Sequence, residues 1–220
     1  MEQQDYEAEV LRVWAGSRDG SHDLGHLRRV RASCRQISTE LDTPVDQQVL
    51  LAAAMFHDVI NLAKDDPERH RAAVLSADHA VAYLAAKGMA PERLDAVHHA
   101  ICAHSFSAGV APVSLEARIL QDADRLEALG AIGIARCFNV SGQLGRGLFD
   151  AEDPLAQRRD PDDQAWALDH FEIKLYRISE TMQTAPGRRM AQQRVAFMRQ
   201  FVAQLLAENA GDEVRDQAAE

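Results

Sequence analysis

The sequence of 220 residues predicts an all-α protein, a bundle of several helices with one long irregular segment near 139–163. Apolar residues recur at spacings of three and four along most of the chain, and no segment alternates in the way a half-buried strand does. Hydrophobic residues make up 46% of the chain and aromatic residues only 5%, so we expect a core built mainly from aliphatic side chains.

The predicted helices are separated by glycine, proline or short polar turns. In chain order they span 2–15, 23–41, 46–60, 67–87, 91–104, 115–138, 164–183 and 187–208. Pro67 and Pro91 suit the first turn of a helix, because proline lacks an N–H that a helix start would leave unpaired. Residues 105–114 are a predicted loop, and a kink is expected near Gly130 or Gly133.

The segment 139–163 joins a glycine-rich stretch to one crowded with charges and prolines. Such a long irregular segment is typical of a functional lid or a mobile loop. We expect one helical domain over 1–210, with a core at about 20–140 and C-terminal helices at about 164–208. The polar tail 211–220 is expected to be disordered.

Composition and charge disfavour several functions. The net charge of −10 disfavours general nucleic-acid binding, which needs a cationic face. No run of 18 apolar residues and no signal peptide is found, so we expect a cytoplasmic protein without a membrane span. Cys34, Cys102 and Cys137 are widely spaced and form no CxxC motif, which indicates reduced thiols.

Two histidines and two aspartates are candidate metal ligands, namely His26, His57, Asp58 and Asp124. Neutral imidazoles and carboxylates bind divalent transition metals. A compact structural zinc site has clustered ligands, whereas these four lie far apart in the chain and must be brought together by folding. This distribution is typical of an active site.

The surroundings of these residues favour inward-facing positions. Asp23 is expected to cap its helix, which places His26 one turn inside it. His57 and Asp58 end the apolar stretch LLAAAMFHDVI, where a carboxylate without a partner would be costly to bury. Asp124 follows Leu120 by four residues and shares its apolar face. Its expected partner is a metal or an arginine, for which Arg118 and Arg136 are the candidates.

The order His, His-Asp, Asp resembles the HD-domain phosphohydrolase superfamily, and longer stretches are similar to its small bacterial YedJ-like (YpgQ-like) branch. These stretches cover about residues 20 to 205. They are HDLGHLRRV, AAAMFHDVIN, RAAVLSA, AICAHSFSAG, LEARILQDADRLEALGAIGIAR, GRGLFD, DHFEIKLYRI and GRRMAQQRVAFMRQF. The resemblance implies an HD-type helical bundle that holds one divalent metal through His26, His57, Asp58 and Asp124.

The resemblance also implies a nucleotide substrate. Members of this branch are similar to pyrophosphatases that act on nucleoside triphosphates with a metal such as manganese; nickel, cobalt, iron or magnesium are alternatives, and a second metal is left open. A nucleoside monophosphate phosphatase and a non-catalytic nucleotide-sensing protein with a structural metal are the alternative functions. A homodimer is also left open.

Further residues are assigned supporting roles. Asp58 is expected to orient a water molecule. Asn61 stands where guanosine tetraphosphate hydrolases of the superfamily carry an acidic residue. An asparagine at this position can orient a water molecule but cannot accept a proton from it. His104 is expected to face the substrate or support the site, whereas His98 and His99 are expected to be ordinary helix residues. The catalytic candidates are Asp58, Lys64 and His104; the substrate-binding candidates are Asn61, Lys64, Arg136 and Arg146.

Overall fold

The computed structural model describes residues 2–15, 23–62, 66, 68–105 and 108–209. Lys64, Pro67 and the tail 211–220 lie outside these described residues. The first helix ends at Val13, two residues before its predicted end. Within the described ranges the protein is helical and contains no β-strand; an isolated bridge joins Gly147 and Trp166. This confirms the all-α prediction. None of the described helices is long and apolar enough to cross a bilayer.

The helices follow the predicted order. They are α1 (Gln3–Val13), α2 (Leu24–Thr39), α3 (Gln47–Phe56), α4 (Ala72–Ala86), α5 (Pro91–His104), α6 (Leu115–Leu126), α7 (Gly130–Gln143), α8 (Tyr176–Ile178) and α9 (Ala185–Asn209). A 3-10 turn at Arg69–Arg71 precedes α4, and a π-helix at Phe171–Leu175 precedes α8. The helix predicted from residue 164 therefore begins later than expected, because residues 164–168 form turns and the bridge at Trp166.

The chain divides into two compact units, the first formed by residues 1–127 and 182–188 and the second by 128–181 and 189–220. The predicted domain over 1–210 stays a prediction. In the first unit α3 contacts α1, α2, α4, α5 and α6. Its residues Ala52–Phe56 are completely buried. Helix α3 is therefore at the centre of the first unit, and the residues that follow it, His57 and Asp58, start from the interior of that unit.

The third helix ends earlier than predicted. Helix α3 stops at Phe56, and His57 is its C-cap residue, whereas the sequence predicted a helix to residue 60. A contact distant in the chain holds the turn that follows. Ser76 Oγ of α4 accepts a hydrogen bond from Ile60 N at 3.0 Å and donates one to Ile60 O at 3.2 Å. This contact redirects the chain immediately after the His-Asp pair.

The predicted helix 115–138 is broken into α6 and α7. Gly130 begins α7 with φ +70°, a conformation that glycine adopts far more readily than other residues. The predicted kink near Gly130 is thus a complete interruption. Helix α7 then continues to Gln143, into the segment predicted to be irregular, and Phe138 just before that segment packs against Phe171 and Phe201.

The irregular segment begins at residue 144 and belongs to the second unit. Gly147 N donates to Ala165 O at 2.9 Å, and Ala167 N donates to Gly147 O at the same distance. The Arg159 guanidinium binds both carboxylate oxygens of the buried Asp169, at 2.5 and 2.9 Å. These contacts tie the segment to its own unit, and a role as a lid stays a prediction.

Candidate metal centre

Three helices of the first unit supply the four predicted ligands. His26 lies in the first turn of α2, where the carboxylate of Asp23 accepts a hydrogen bond from His26 N at 2.8 Å and so caps the helix as predicted. His57 and Asp58 lie at and just after the C-terminus of α3, and Asp124 lies in the last turn of α6. Both histidines are at most 1% exposed.

Three of these side chains, those of His26, His57 and Asp58, form one group of possible metal ligands whose atoms all lie within 4.8 Å of one another, and Asp124 lies beside the two histidines. The two Nε2 atoms of His26 and His57 are 3.1 Å apart. Asp58 Oδ2 lies 3.7 Å from His26 Nε2 and 3.4 Å from His57 Nε2. Asp124 Oδ1 lies 3.6 and 3.7 Å from the same two nitrogens.

These separations match those of ligand atoms around one cation. Two atoms that each lie about 2.1 Å from an ion are roughly 3.0 Å apart at a right angle and roughly 3.5 Å apart at a tetrahedral angle. Two imidazole nitrogens and two carboxylate oxygens also form a donor set suited to divalent transition metals. The Asp58 and Asp124 side chains are 25% and 29% exposed, so the site has access to solvent.

Comparisons with known proteins identify the family of this chain. The HD domain family matches residues 23–129, a span that contains the four candidate ligands. YpgQ of Bacillus subtilis is 34% identical over 207 residues, which are 90% of this chain and 92% of YpgQ. The chain belongs to the HD domain family. The resemblance inferred from the sequence motifs is confirmed.

Solved structures of HD-family relatives share the whole fold. A structure of Bacillus subtilis YpgQ in complex with ADP is similar to this chain with a TM-score of 0.71 and 32% identity, covering 94% of each chain. An HD-superfamily hydrolase from Bacillus thuringiensis has a TM-score of 0.74 and 28% identity, covering 95% of this chain and 97% of its own.

The HD histidines are oriented by bonds to their other ring nitrogen. His57 Nδ1 lies 2.9 Å from Ala54 O, an arrangement that requires Nδ1–H to donate. His26 Nδ1 lies 3.3 Å from Glu127 Oε2, which likewise accepts a hydrogen bond. In the neutral form of each ring, these bonds place the proton on Nδ1 and leave the Nε2 lone pair directed at the cluster, as metal-binding histidines require.

Glu127 and Arg29 were not among the predicted site residues. Glu127 is 1% exposed, and Arg29 Nε donates to the same Glu127 Oε2 at 2.8 Å. The sequence carries a signal for Glu127, because it follows Asp124 by three residues and so lies on the same side of the helix. Arg29 follows His26 by the same spacing. Together they form an ion pair between a buried carboxylate and a partly exposed guanidinium, and this pair fixes the ring of a candidate ligand.

Substituting Glu127 by Gln is expected to weaken Mn²⁺ binding by about ten- to a hundredfold, since carboxylates that orient metal-bound histidines contribute this much. A neutral amide accepts the His26 proton more weakly and leaves Arg29 without its charge partner. Titration of the metal-free protein with Mn²⁺ measures the effect, and Glu92→Gln at the exposed start of α5 is the matched control. Equal affinity in Glu127→Gln and the wild type would contradict the assigned role.

The charged groups of the site shift one another's pKa values. Burial by itself would lower the pKa of His26, but Asp58, Glu127 and Asp124 outweigh it and raise that pKa to about 9. Burial raises the pKa of Asp58, yet the neighbouring histidines hold it well below its usual value. The pKa of Asp124 is lowered in the same way, against the effect of burial. In the metal-free protein a proton therefore occupies the place that a cation would take.

Metal binding is consequently expected to depend on pH. Below the pKa of about 9, His26 must lose its proton before Nε2 can bind a metal, so affinity falls as the pH falls. For one displaced proton, the apparent Mn²⁺ affinity rises roughly tenfold per unit between about pH 6 and pH 8. Competition with a chelating indicator at several pH values measures this slope. A flat profile would show that no proton is displaced.

The remaining predicted residues that the structure describes belong to two different units. His104 is 7% exposed, and its Nε2 lies 3.5 Å from Asp58 Oδ1, while its ring meets that of His57 edge to face. Asn61 lines a cavity shared with Asp58 and His104. Arg136 and Arg146 belong to the second unit, where Arg146 donates to Gln164 Oε1 at 2.9 Å.

The alternatives left open for the other side chains are partly resolved. Arg118 Nε donates to Pro112 O at 3.1 Å, so this arginine is engaged away from Asp124. His98 Nε2 contacts Asp78 at 3.1 Å, and His99 Nε2 accepts from Val113 N at 3.2 Å. Both histidines thus have structural partners outside the cluster, as expected for ordinary helix residues.

Proposed function

We propose that this protein is a metal-dependent phosphohydrolase that acts on nucleotides and releases pyrophosphate from nucleoside triphosphates. The convergence of His26 and His57 Nε2 with one oxygen each of Asp58 and Asp124 carries the proposal. The ADP complex of YpgQ, a relative of matching length, supports a nucleotide as the ligand class.

The four ligands fit a divalent cation, and manganese is the proposed ion. When bound, it supplies a Lewis acid for a phosphoryl oxygen and lowers the pKa of water at the site. The two histidines would hold it from the buried side, and the two aspartates would hold it from the side that reaches solvent. Substrate and water therefore enter from the aspartate side.

Asp58 has a separate task for each carboxylate oxygen. Its Oδ2 faces the two histidine nitrogens of the cluster, and its Oδ1 lies 3.5 Å from His104 Nε2. An oxygen that accepts a hydrogen bond can orient a water molecule for in-line attack on phosphorus. Asp58 is thus proposed to hold the site together and to position the nucleophile.

His104 is proposed to serve as a proton donor beside Asp58. Its Nδ1 lies 2.5 Å from Ile101 O and donates to it, which directs Nε2 toward Asp58. Burial lowers the pKa of His104, but Asp58 and Asp124 outweigh it and raise the pKa above the usual value. A protonated imidazole can hold a phosphate oxygen or protonate the leaving group.

Cationic side chains are needed for the phosphates that leave. Lys64, Arg136 and Arg146 remain the proposed groups from sequence, and Asn61 is proposed to hold a phosphate oxygen or water through its amide. Removing a positive charge from such a contact weakens binding of the developing anion in the transition state.

A nucleotide screen with product identification tests the function. Nucleoside tri-, di- and monophosphates are incubated with Mn²⁺, Co²⁺, Ni²⁺ or Mg²⁺, and the products are resolved by phosphorus NMR. We expect pyrophosphate and a nucleoside monophosphate from triphosphates. Orthophosphate from monophosphates would favour the phosphatase alternative, and tight nucleotide binding by metal-loaded protein without turnover would favour a sensing protein.

A further inference from the structure

We propose that Arg69 binds a phosphate group of the substrate in a cavity beside the metal centre. The proposal deepens the proposed function, on which it rests, because it assigns a position to the anionic part of the nucleotide. It also names a cation that was absent from the residues predicted from sequence.

The cavity lies next to Asp58 and His104, on the side of the cluster that reaches solvent. It has a volume of about 100 Å³, and its polar lining includes Asp58, Asn61, Arg69, His104 and Ser105. A space of this size accommodates several water-sized groups. Because Asp58 belongs both to the cluster and to the cavity wall, a group bound in the cavity is adjacent to the metal ligands.

Charge distinguishes Arg69 within this lining. The protein carries a net charge of −10, so an anionic substrate needs a local positive group to approach. Among the described lining residues Arg69 is the arginine, and no carboxylate of the described chain forms an ion pair with its guanidinium. Two residues further on, Arg71 Nη1 is instead paired with Glu68 Oε2 at 2.5 Å. Arg69 is therefore the guanidinium in this turn that is available to a ligand.

The backbone holds the two sides of the cavity in a fixed relation. Asn61 follows the end of α3, whereas Arg69 opens the 3-10 turn that leads into α4. The paired hydrogen bonds between Ser76 of α4 and Ile60 link these segments directly. Arg69 N also donates to Asp66 O at 3.1 Å, which positions the start of the turn. The same contacts that end α3 thus bring Arg69 to the site.

A guanidinium suits a phosphate better than an ammonium does. It is planar, stays charged at any physiological pH and donates two parallel hydrogen bonds to two phosphate oxygens. With Arg69 on one side and a cation held by the metal ligands on the other, a phosphate in the cavity would lie between two positive centres. The nucleotide would then enter with its phosphates on the Asp58 and His104 side.

Binding of inorganic phosphate and pyrophosphate by the Mn²⁺-loaded protein tests this assignment. Calorimetry compares the wild type with Arg69→Gln, Arg69→Lys and the control Arg71→Gln, after metal analysis shows equal Mn²⁺ content. Arg69→Gln is expected to weaken pyrophosphate binding by about ten- to a hundredfold. Arg69→Lys should recover part of this loss, and Arg71→Gln should bind as the wild type does.

Several results would overturn the proposal. They are wild-type affinity in Arg69→Gln, an equal loss in Arg71→Gln, and no binding of either anion by the loaded wild type. These binding measurements do not require the protein to hydrolyse a nucleotide. If the nucleotide screen finds no hydrolysis but Arg69→Gln loses anion binding, the proposed function fails and the phosphate site stands. If hydrolysis occurs, the same variant should raise KM more than it lowers kcat.

Discussion

Asp124→Asn is expected to remove tight metal binding and nucleotide hydrolysis while the helical fold is retained. Asp124 Oδ1 lies 3.6 and 3.7 Å from the two histidine nitrogens of the cluster. Asparagine has the same shape but supplies no charge to a cation. We expect hydrolysis to fall on the order of a thousandfold, which corresponds to about 4 kcal/mol of transition-state stabilisation.

The stability of this variant separates a ligand from a structural residue. The Asp124 side chain is 29% exposed, so the amide can be solvated without a large cost. The melting temperature of metal-free Asp124→Asn should stay within a few degrees of that of the metal-free wild type. Asp78→Asn, at an exposed position of α4, is the matched control and should keep full metal binding and activity. A fully active Asp124→Asn would remove this residue from the site.

Asp122→Ala, two residues earlier on the same helix, is expected to destabilise the protein by roughly 3–5 kcal/mol, the loss of a buried charge with several hydrogen bonds. Asp122 is completely buried. Its carboxylate accepts hydrogen bonds from Gln183 N at 2.7 Å, Thr184 N at 2.8 Å and Thr184 Oγ1 at 2.7 Å. Alanine would leave these donors without a partner in the interior.

The loss extends to the start of α9. Thr184 Oγ1 also accepts a hydrogen bond from Gly187 N at 3.0 Å, so Asp122 orients the residue that caps this helix. A Cβ on Gly187 would collide with the Asp122 carboxylate, which shows how closely the two segments pack. Urea unfolding monitored by circular dichroism measures the free energy of unfolding, with Asp124→Asn as the comparison. A change below about 1 kcal/mol would contradict this anchoring role.

The contrast between Asp122 and Asp124 shows which structural roles the local sequence can predict and which it cannot. Both aspartates lie in the same two turns of α6, and the spacing from Leu120 favours an inward position for Asp124. The role of Asp122 depends on backbone donors more than sixty residues later in the chain. No periodicity within the helix reveals such a partner.

The fold was predictable where local signals determine it. Pro91 begins α5 and Asp23 caps α2, as the sequence indicates. The end of α3 was missed because the paired bonds of Ser76 with Ile60 decide it, and the extension of α7 was missed because Phe138 packs against distant aromatic rings. Tertiary contacts override local propensity at these ends.

The candidate site divides in the same way. Residue type and the family resemblance pointed to His26, His57 and Asp58, which the structure groups, and to Asp124 beside the two histidines. The His104 side chain lies next to Asp58. Arg69 has no local signal, since its approach to Asp58 depends on how the chain turns between α3 and α4. In the sequence, Arg29 and Glu127 are indicated only by their spacing of three residues from His26 and Asp124. Their role is visible only in the structure, where Glu127 contacts the ring of His26 and Arg29 pairs with Glu127.

Anomalous diffraction from crystals grown with Mn²⁺ tests the central claim most directly. We expect one strong manganese peak per chain, bounded by Nε2 of His26 and of His57 and by carboxylate oxygens of Asp58 and Asp124, and its loss in Asp124→Asn. A wild-type map without a peak at this position, under conditions where the protein hydrolyses nucleotides, would contradict a catalytic metal held by these four residues.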